Sequence, residues 1–211
     1  MNKVSKPVIT VENIHSNFNQ SFDQHHPYLE GMIIEKCLIT DLDVQGAEFI
    51  NVIFKNVTFK DVSFEKIYLR DVQFESCDLS LANLDEATMQ RVEFNNCQLT
   101  GLMMTDARLQ NVQFNHCNLR LAGMGYSSKK HVEYNESILT EVDFYHSKWL
   151  KVYFNQCELT GANLSNTALK GIDLSQSEFD HLTVRTEDLQ GCLVNSFQAQ
   201  QLSTLLGLII K

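Results

Sequence analysis

Proline is scarce in this chain, with two residues in 211, and tryptophan occurs once. No apolar run approaches the ~18 residues of a membrane-spanning segment, and the opening MNKVSKPVITVENIHSNF lacks a signal-peptide core. These absences lead to the expectation of a soluble, cytoplasmic protein that does not associate with membranes and keeps its six cysteines reduced. No CxxC or CxxH pair is present, as a structural zinc site would want. The seven histidines do not fall into one column at a common twenty-residue interval, and HExxH, a phosphate-cradling glycine loop and a Ser/His/Asp constellation are all missing. The reading is a non-enzymatic chain with no metal and no cofactor. Cations are also in deficit, 17 Lys and Arg against 26 Asp and Glu, and the net charge of -9 disfavours direct nucleic-acid binding.

What the chain does have is repetition. VEFNNCQLTG begins at Val92, VQFNHCNLRL at Val112, VEYNESILTE at Val132 and VYFNQCELTG at Val152. The twenty-residue phrase divides again into fives. From Leu29 to Val194 every fifth residue is the centre of a pentapeptide, and of 34 such slots only Lys129 is not apolar or aromatic. The residue two before each centre is usually small or branched, as at Ala47, Val52, Val57, Val72 and Cys77. Neither a helical nor a simple strand period produces this, and it reads as a solenoid.

Residues two apart on an extended stretch point the same way, so each pentapeptide sends two side chains inward before the chain turns. Four sides make a coil of twenty, about eight coils fill residues 27–194, and residues twenty apart stack at about 4.8 Å. Inward columns then run Val52 to Val152, Phe54 to Phe154, and Cys37, Cys77, Cys97, Cys117, Cys157, with Val57 and Ser137 in the gaps. Cysteine here acts as a small buried hydrophobe. Outside, Asn95, Asn115, Asn135 and Asn155 form a corner column able to share amide hydrogen bonds.

Two places break the pattern. GMGYSSKKH, from Gly123 to His131, puts Ser127 and Lys129 at inward slots. An unpaired inward lysine is costly, so a local bulge is expected, with Tyr126, Lys129 and Lys130 turned outward as a candidate recognition element. The ends are the second break. Residues 1–26 lack register and are read as an N-terminal cap. Residues 195–211 are read as a short helical segment whose Phe197, Leu202, Leu205, Leu206, Ile209 and Ile210 bury against a second copy.

The tandem A/V/C-x-L/F-x-x motif resembles the pentapeptide-repeat family. The resemblance implies an all-β solenoid, a right-handed quadrilateral β-helix. DLQGCLVNSFQAQQLSTLLGLII from Asp188 and ESCDLSLANL from Glu75 are similar to the Qnr group of quinolone-resistance members. That similarity implies a tail-to-tail homodimer shaped and charged like DNA, binding type II topoisomerases, DNA gyrase above all and also topoisomerase IV. Many Qnr members carry loops between coils; residues 29–194 have no such insertion. A structural or adaptor rod docking another protein is the alternative.

The charge pattern can be read separately. On the side centred on Leu29, Phe49 and Leu69, eight basic residues face five acidic ones, while the other three sides carry nineteen acidic and six basic. The excess of negative charge on those sides amounts to about one per 3 Å of rod, against one per ~1.7 Å for duplex DNA and one per ~3.4 Å for a single strand. Asp85, Glu86 and Asp106 are the candidate partner-binding acids of this acidic surface.

Overall fold

A computed structural model describes residues 4–11, 13–15 and 18–208. The chain enters with β1 (Asn13–His15) and a single turn of helix, α1 (Phe18–Ser21). It then winds through β2 (Tyr28–Glu35), β3 (Leu38–Asp43), β4 (Glu48–Lys55), β5 (Thr58–Ser63), β6 (Tyr68–Glu75), β7 (Thr88–Asn95), β8 (Arg108–Asn115), β9 (Ser128–Asn135) and β10 (Lys148–Asn155). It closes with α2 (Ser196–Leu202) and a 3-10 turn at Ser203–Leu206. All the strand pairings are parallel and, apart from β1 on β2, offset by twenty residues, so Val52 meets Val72, then Val92, Val112, Val132 and Val152. The result is a four-sided parallel β-solenoid. Its sides are called here the first to fourth walls, centred in the first coil on Leu29, Ile34, Ile39 and Val44.

The turning device is a left-handed residue. Every fifth residue from Gly31 to Gly171 has positive φ, between 46° and 79°. Glycine, asparagine and aspartate tolerate this conformation best, yet Leu81, Leu121 and Tyr126 adopt it as well. Their strain is offset by the coil's own hydrogen bonding: the N–H of such a corner donates to the carbonyl nineteen residues on, as Asn56 does to Glu75 and His116 to Asn135, both at 2.9 Å.

Inside, the aromatic column is a stack. Phe54, Phe74, Phe94, Phe114, Tyr134 and Phe154 lie with successive ring centroids 4.7–5.1 Å apart and planes within 8° of parallel. The cysteine column does more than fill space. Cys77, Cys97 and Cys117 each point Sγ at the carbonyl 23 residues earlier at 3.4 Å, and Ser137 and Ser177 make the same contact with Oγ at 3.2 and 3.3 Å. The thiol is therefore a donor as well as a small apolar group. Outside, the amides of Asn115, Asn135 and Asn155 each donate to the asparagine one coil earlier, at 2.8, 2.7 and 2.6 Å.

The coil count needs adjustment. Six successive parallel pairings join β2, β4, β6, β7, β8, β9 and β10 into about six turns. Beyond Asn155 no further strands pair, and the coils are joined by isolated bridges such as Glu158 to Glu178 and Asp173 to Leu193 and by single hydrogen bonds such as that from the Leu159 N–H to the Glu178 carbonyl at 2.7 Å.

The expected bulge at Gly123–His131 is absent. Lys129 stays in register between Leu109 and Trp149 and is 1 % exposed. Its Nζ donates to the Met124 carbonyl at 3.2 Å and to the Ser127 hydroxyl, with the Phe144 ring centroid 5.0 Å away. Serines at 127 and 147 occupy neighbouring inward slots, and both hydroxyls also donate to Met124 O, at 2.6 and 3.2 Å. Polar partners inside the tower thus substitute for water, and burial pushes the Lys129 amine down to about 7. Tyr126 and Lys130 do face solvent.

The N-terminal stretch has two roles. Phe18 and Phe22 stack at 4.7 Å, and Phe22 packs edge-on against Phe49 and Phe64 at 5.9 and 6.4 Å. Residues 4–11 instead run along the corner between the first and second walls. There the N–H groups of Ser5, Val8 and Thr10 donate to Asn111, Asp71 and Asn51 at 3.3, 2.9 and 2.8 Å.

Candidate functional site

The three acids expected to meet a partner occupy two different environments. Glu86 and Asp106 are exposed, left-handed corner residues one coil apart in the fourth wall. Lys66 Nζ approaches Glu86 Oε1 at 3.6 Å and Glu65 at 3.0 Å, so Glu86 is partly neutralised, whereas Asp106 one coil on has no ion-pair partner among the described residues. Asp85 is different: its Oδ1 accepts the Thr105 N–H of the next coil at 2.7 Å. That residue is only partly exposed, and its first duty is to hold coils together.

A second acidic group was not picked out from the sequence. Glu158 and Glu178 are stacked bridge partners on the third wall, both exposed, with Asp180 beside them. They line an open cleft of about 810 Å³ between the last coils and α2, floored by Ser177, Phe179 and Gln198. The stacking was readable from the twenty-residue spacing, but the cleft depends on where α2 lands. Among the described residues no carboxylate–cation pair involves these three.

The first wall proves less uniformly basic than its residue count. Arg91 Nε and the Nη2 group both donate to Asp71 at 2.6 Å. Burial pushes the Asp71 carboxyl up, but Arg91 and the Val8 N–H outweigh it and hold the group below the ordinary carboxylate range. Lys129 is internal. The exposed cations of this wall are Arg108, Lys130, Lys148, Lys151 and Lys170.

At the far end, Asn195 caps α2 through a reciprocal capping box with Gln198. Buried Gln198 then donates its amide to the carbonyls of Leu174 and Ser177 at 2.8 and 2.7 Å, plugging the last coil. This leaves Phe197, Leu205 and Leu206 exposed, at 67 %, 39 % and 66 %. Leu202 instead packs against the core, beside an apolar groove of about 390 Å³ that it lines with Leu189, Val194, Ala199 and Leu206. Ile209 and Ile210 lie outside the described residues. No described helix is long and apolar enough to cross a membrane.

Comparison with known proteins agrees with this architecture. A family model described as pentapeptide repeat region matches residues 47–124 and 87–164. No curated protein matches the sequence. Among solved structures, a trypsin-treated variant of QnrB1, a plasmid-mediated fluoroquinolone resistance protein, is 20% identical over 85% of this chain and 100% of its own, with a TM-score of 0.41. A second trypsin-treated QnrB1 variant is 22% identical over 97% of this chain and 99% of its own, at 0.38. HetL, a pentapeptide repeat protein involved in heterocyst differentiation regulation from the cyanobacterium Nostoc sp. strain PCC 7120, is 14% identical over 79% and 91%, at 0.31. With tandem matches covering residues 47–164 and a twenty-residue coil in register throughout them, the chain belongs to the pentapeptide-repeat family.

Proposed function

We propose that this protein is a non-enzymatic DNA mimic that docks, as a tail-to-tail dimer, on a type II topoisomerase such as DNA gyrase and alters quinolone susceptibility. The observation that carries the reading is the outward carboxylates of the second to fourth walls, held on a rigid rod at coil spacing. Asp41, Asp61, Asp106, Asp143, Glu158 and Glu178 are exposed and, among the described residues, have no cation within ion-pair distance. A protein surface evolved to grip phosphates meets here about half the linear charge density of a DNA duplex, close to that of one strand. The resemblance of the tail to the Qnr group and the exposed Phe197, Leu205 and Leu206 support the dimer. Purified protein in gyrase supercoiling and cleavage assays, with and without a quinolone, tests the proposal. A steep loss of gyrase binding with salt is expected; an enzyme indifferent to the protein at low salt would refute it.

One observation favours the adaptor reading. Leu81 and Leu121 stand 76 % and 53 % exposed at left-handed corners on the same column, with Met103 nearby at 41 %. DNA offers no counterpart to such apolar groups. A partner protein that packs on them would need neither salt-sensitive contacts nor gyrase.

A further inference from the structure

We propose that the first wall between Thr88 and Gly171 is a binding surface for the phosphate backbone of nucleic acid. Five exposed cations, Arg108, Lys130, Lys148, Lys151 and Lys170, lie on it, and no Asp or Glu occurs among the first-wall residues of this stretch. Within this stretch only the partly buried Arg91 is neutralised, by Asp71 of the preceding coil, and elsewhere on the rod the chain pairs cations locally: Lys55 has Glu75, Arg120 has Glu141 and Arg185 has Asp188, each within 4 Å. Among the described residues, none of the five has such a carboxylate. His131 sits among them, and burial followed by the charges of Lys151 and Lys130 holds its imidazole below the ordinary range.

The arrangement suits a linear polyanion. Arg108, Ser128 and Lys148 are stacked in register, as are Gln110, Lys130 and Leu150 in the neighbouring outward column. At about 4.8 Å per coil, the cations recur every ~5–10 Å along the axis, within reach of successive phosphates for side chains as long as Lys and Arg. Gln90, Gln110 and Asn111 add amide donors on the same face. The stripe is one wall wide. Exposed Asp106 and Asp143 on the fourth wall and Glu136 on the second flank it. A planar bilayer would bring those acids against its own negative surface, whereas a nucleic-acid strand lying along the stripe avoids them.

Net charge argues against nucleic acid only as an average. At about 0.1 M salt the Debye length is ~10 Å, so a phosphate in contact with this wall is governed by the five cations more than by carboxylates on the opposite side. The inference does not depend on topoisomerase mimicry, which uses the other walls. Together they would let one rod face an enzyme and a real DNA segment at once.

The test is fluorescence anisotropy of a labelled DNA duplex of about 20 base pairs with the purified full-length chain. Three to four phosphate contacts predict an affinity that falls about 100-fold between roughly 50 and 200 mM salt. The triple variant Lys130→Glu, Lys148→Glu, Lys151→Glu changes only exposed side chains, so its circular dichroism and melting should stay native. Its affinity should drop by at least about tenfold. Absence of binding by the wild type at low salt, undiminished binding by the folded triple variant, or capture by phosphatidylserine vesicles without DNA binding would overturn the proposal. Because the assay contains no enzyme, a failure of gyrase binding leaves this result standing and sinks only the mimicry reading.

Discussion

The Lys129 ammonium nitrogen lies 5.0 Å from the centroid of the Phe144 ring, inside the tower and closed off from solvent. Its amine is held at about 7, against an ordinary 10.5, because burial disfavours the charged form. Below about pH 7 both folded and unfolded chains carry the proton and the cost of burying it is constant. Between about 7 and 10.5 the unfolded chain binds more protons, so stability should rise with pH as that cost is relieved. Lys129→Met should stabilise the protein near pH 7 by a few kcal/mol and lose that advantage as pH rises. Urea melts of both proteins between pH 6.5 and 8.5 check this; the cysteines of the unfolded chain, which titrate at ~8.5, contribute equally to both proteins and cancel in the difference. A constant difference across the range would mean that Lys129 is not the titrating group.

Thiol reactivity follows the same geometry. Cys77, Cys97, Cys117 and Cys157 are buried, whereas Cys37 and Cys192 are partly exposed. Burial raises the Cys37 thiol and pushes those of Cys157 and Cys192 alike up to about 11, so access to the reagent rather than thiolate formation separates the two groups. A thiol reagent at neutral pH should label Cys37 and Cys192 in the native protein and all six cysteines only after denaturation. Cys97→Ser should cost less than about 1 kcal/mol, because Ser137 and Ser177 already make the equivalent carbonyl contact, while Cys97→Ala should cost about 1–2 kcal/mol by leaving that carbonyl short of a donor.

Much of this architecture was legible because the period and the register are the same fact: a residue twenty places on must stack, so the Val52, Phe54 and Asn95 columns needed no coordinates. Lys129 was misplaced for a reason that sequence spacing does not capture. The cost of an inward lysine depends on what it meets, and Ser147 joins Ser127 and the Met124 carbonyl only when the next coil is stacked on theirs. The contacts of residues 4–11 were hidden by separation, since Ser5 and Asn111 are 106 residues apart and share no repeat. The cleft beside Glu158 and Glu178 likewise requires the position of α2.

The N-terminal contacts yield a stability prediction. Asp71 accepts from Arg91 and from the Val8 N–H, tying residues 4–11 to the rod. Asp71→Ala should cost about 2 kcal/mol through the charged hydrogen bonds it removes. Deleting residues 1–11 should lower the melting temperature and increase amide exchange near Asn51 and Asn111 without unwinding the coils. Unchanged exchange at those corners after deletion would show that the contacts add nothing to the rod in solution.

Assembly can be separated from folding at the other end. Leu206→Asp places a charge on an exposed residue and should leave the melting curve nearly unchanged. If α2 joins two chains, it should convert a dimer to a monomer in sedimentation. Gln198→Leu should act in the opposite way, exposing the Leu174 and Ser177 carbonyls to an apolar neighbour and loosening the last coil by about 1–3 kcal/mol. A wild type that sediments as a monomer at micromolar concentration would dispose of the dimer.

The acidic surface needs a test that does not disturb the coils, and the structure decides which residues qualify. Asp85 does not, because its carboxylate accepts the Thr105 N–H, so reversing its charge would confuse docking with stability. Glu86 and Asp106 qualify, being exposed corner residues whose left-handed backbone already accommodates Lys66 in the same column. Glu86→Lys with Asp106→Lys changes the net charge by four and should weaken gyrase binding by about tenfold or more near 0.1 M salt, with the difference shrinking as salt rises. The same pair of changes should leave the melting temperature within a few degrees of wild type. Arg108→Glu, on the basic wall, should leave gyrase binding the same or slightly tighter. If the double variant folds, assembles as the wild type does and binds gyrase equally well, the carboxylates of this column are not standing in for phosphates, and the exposed Leu81 and Leu121 become the better place to look for a partner.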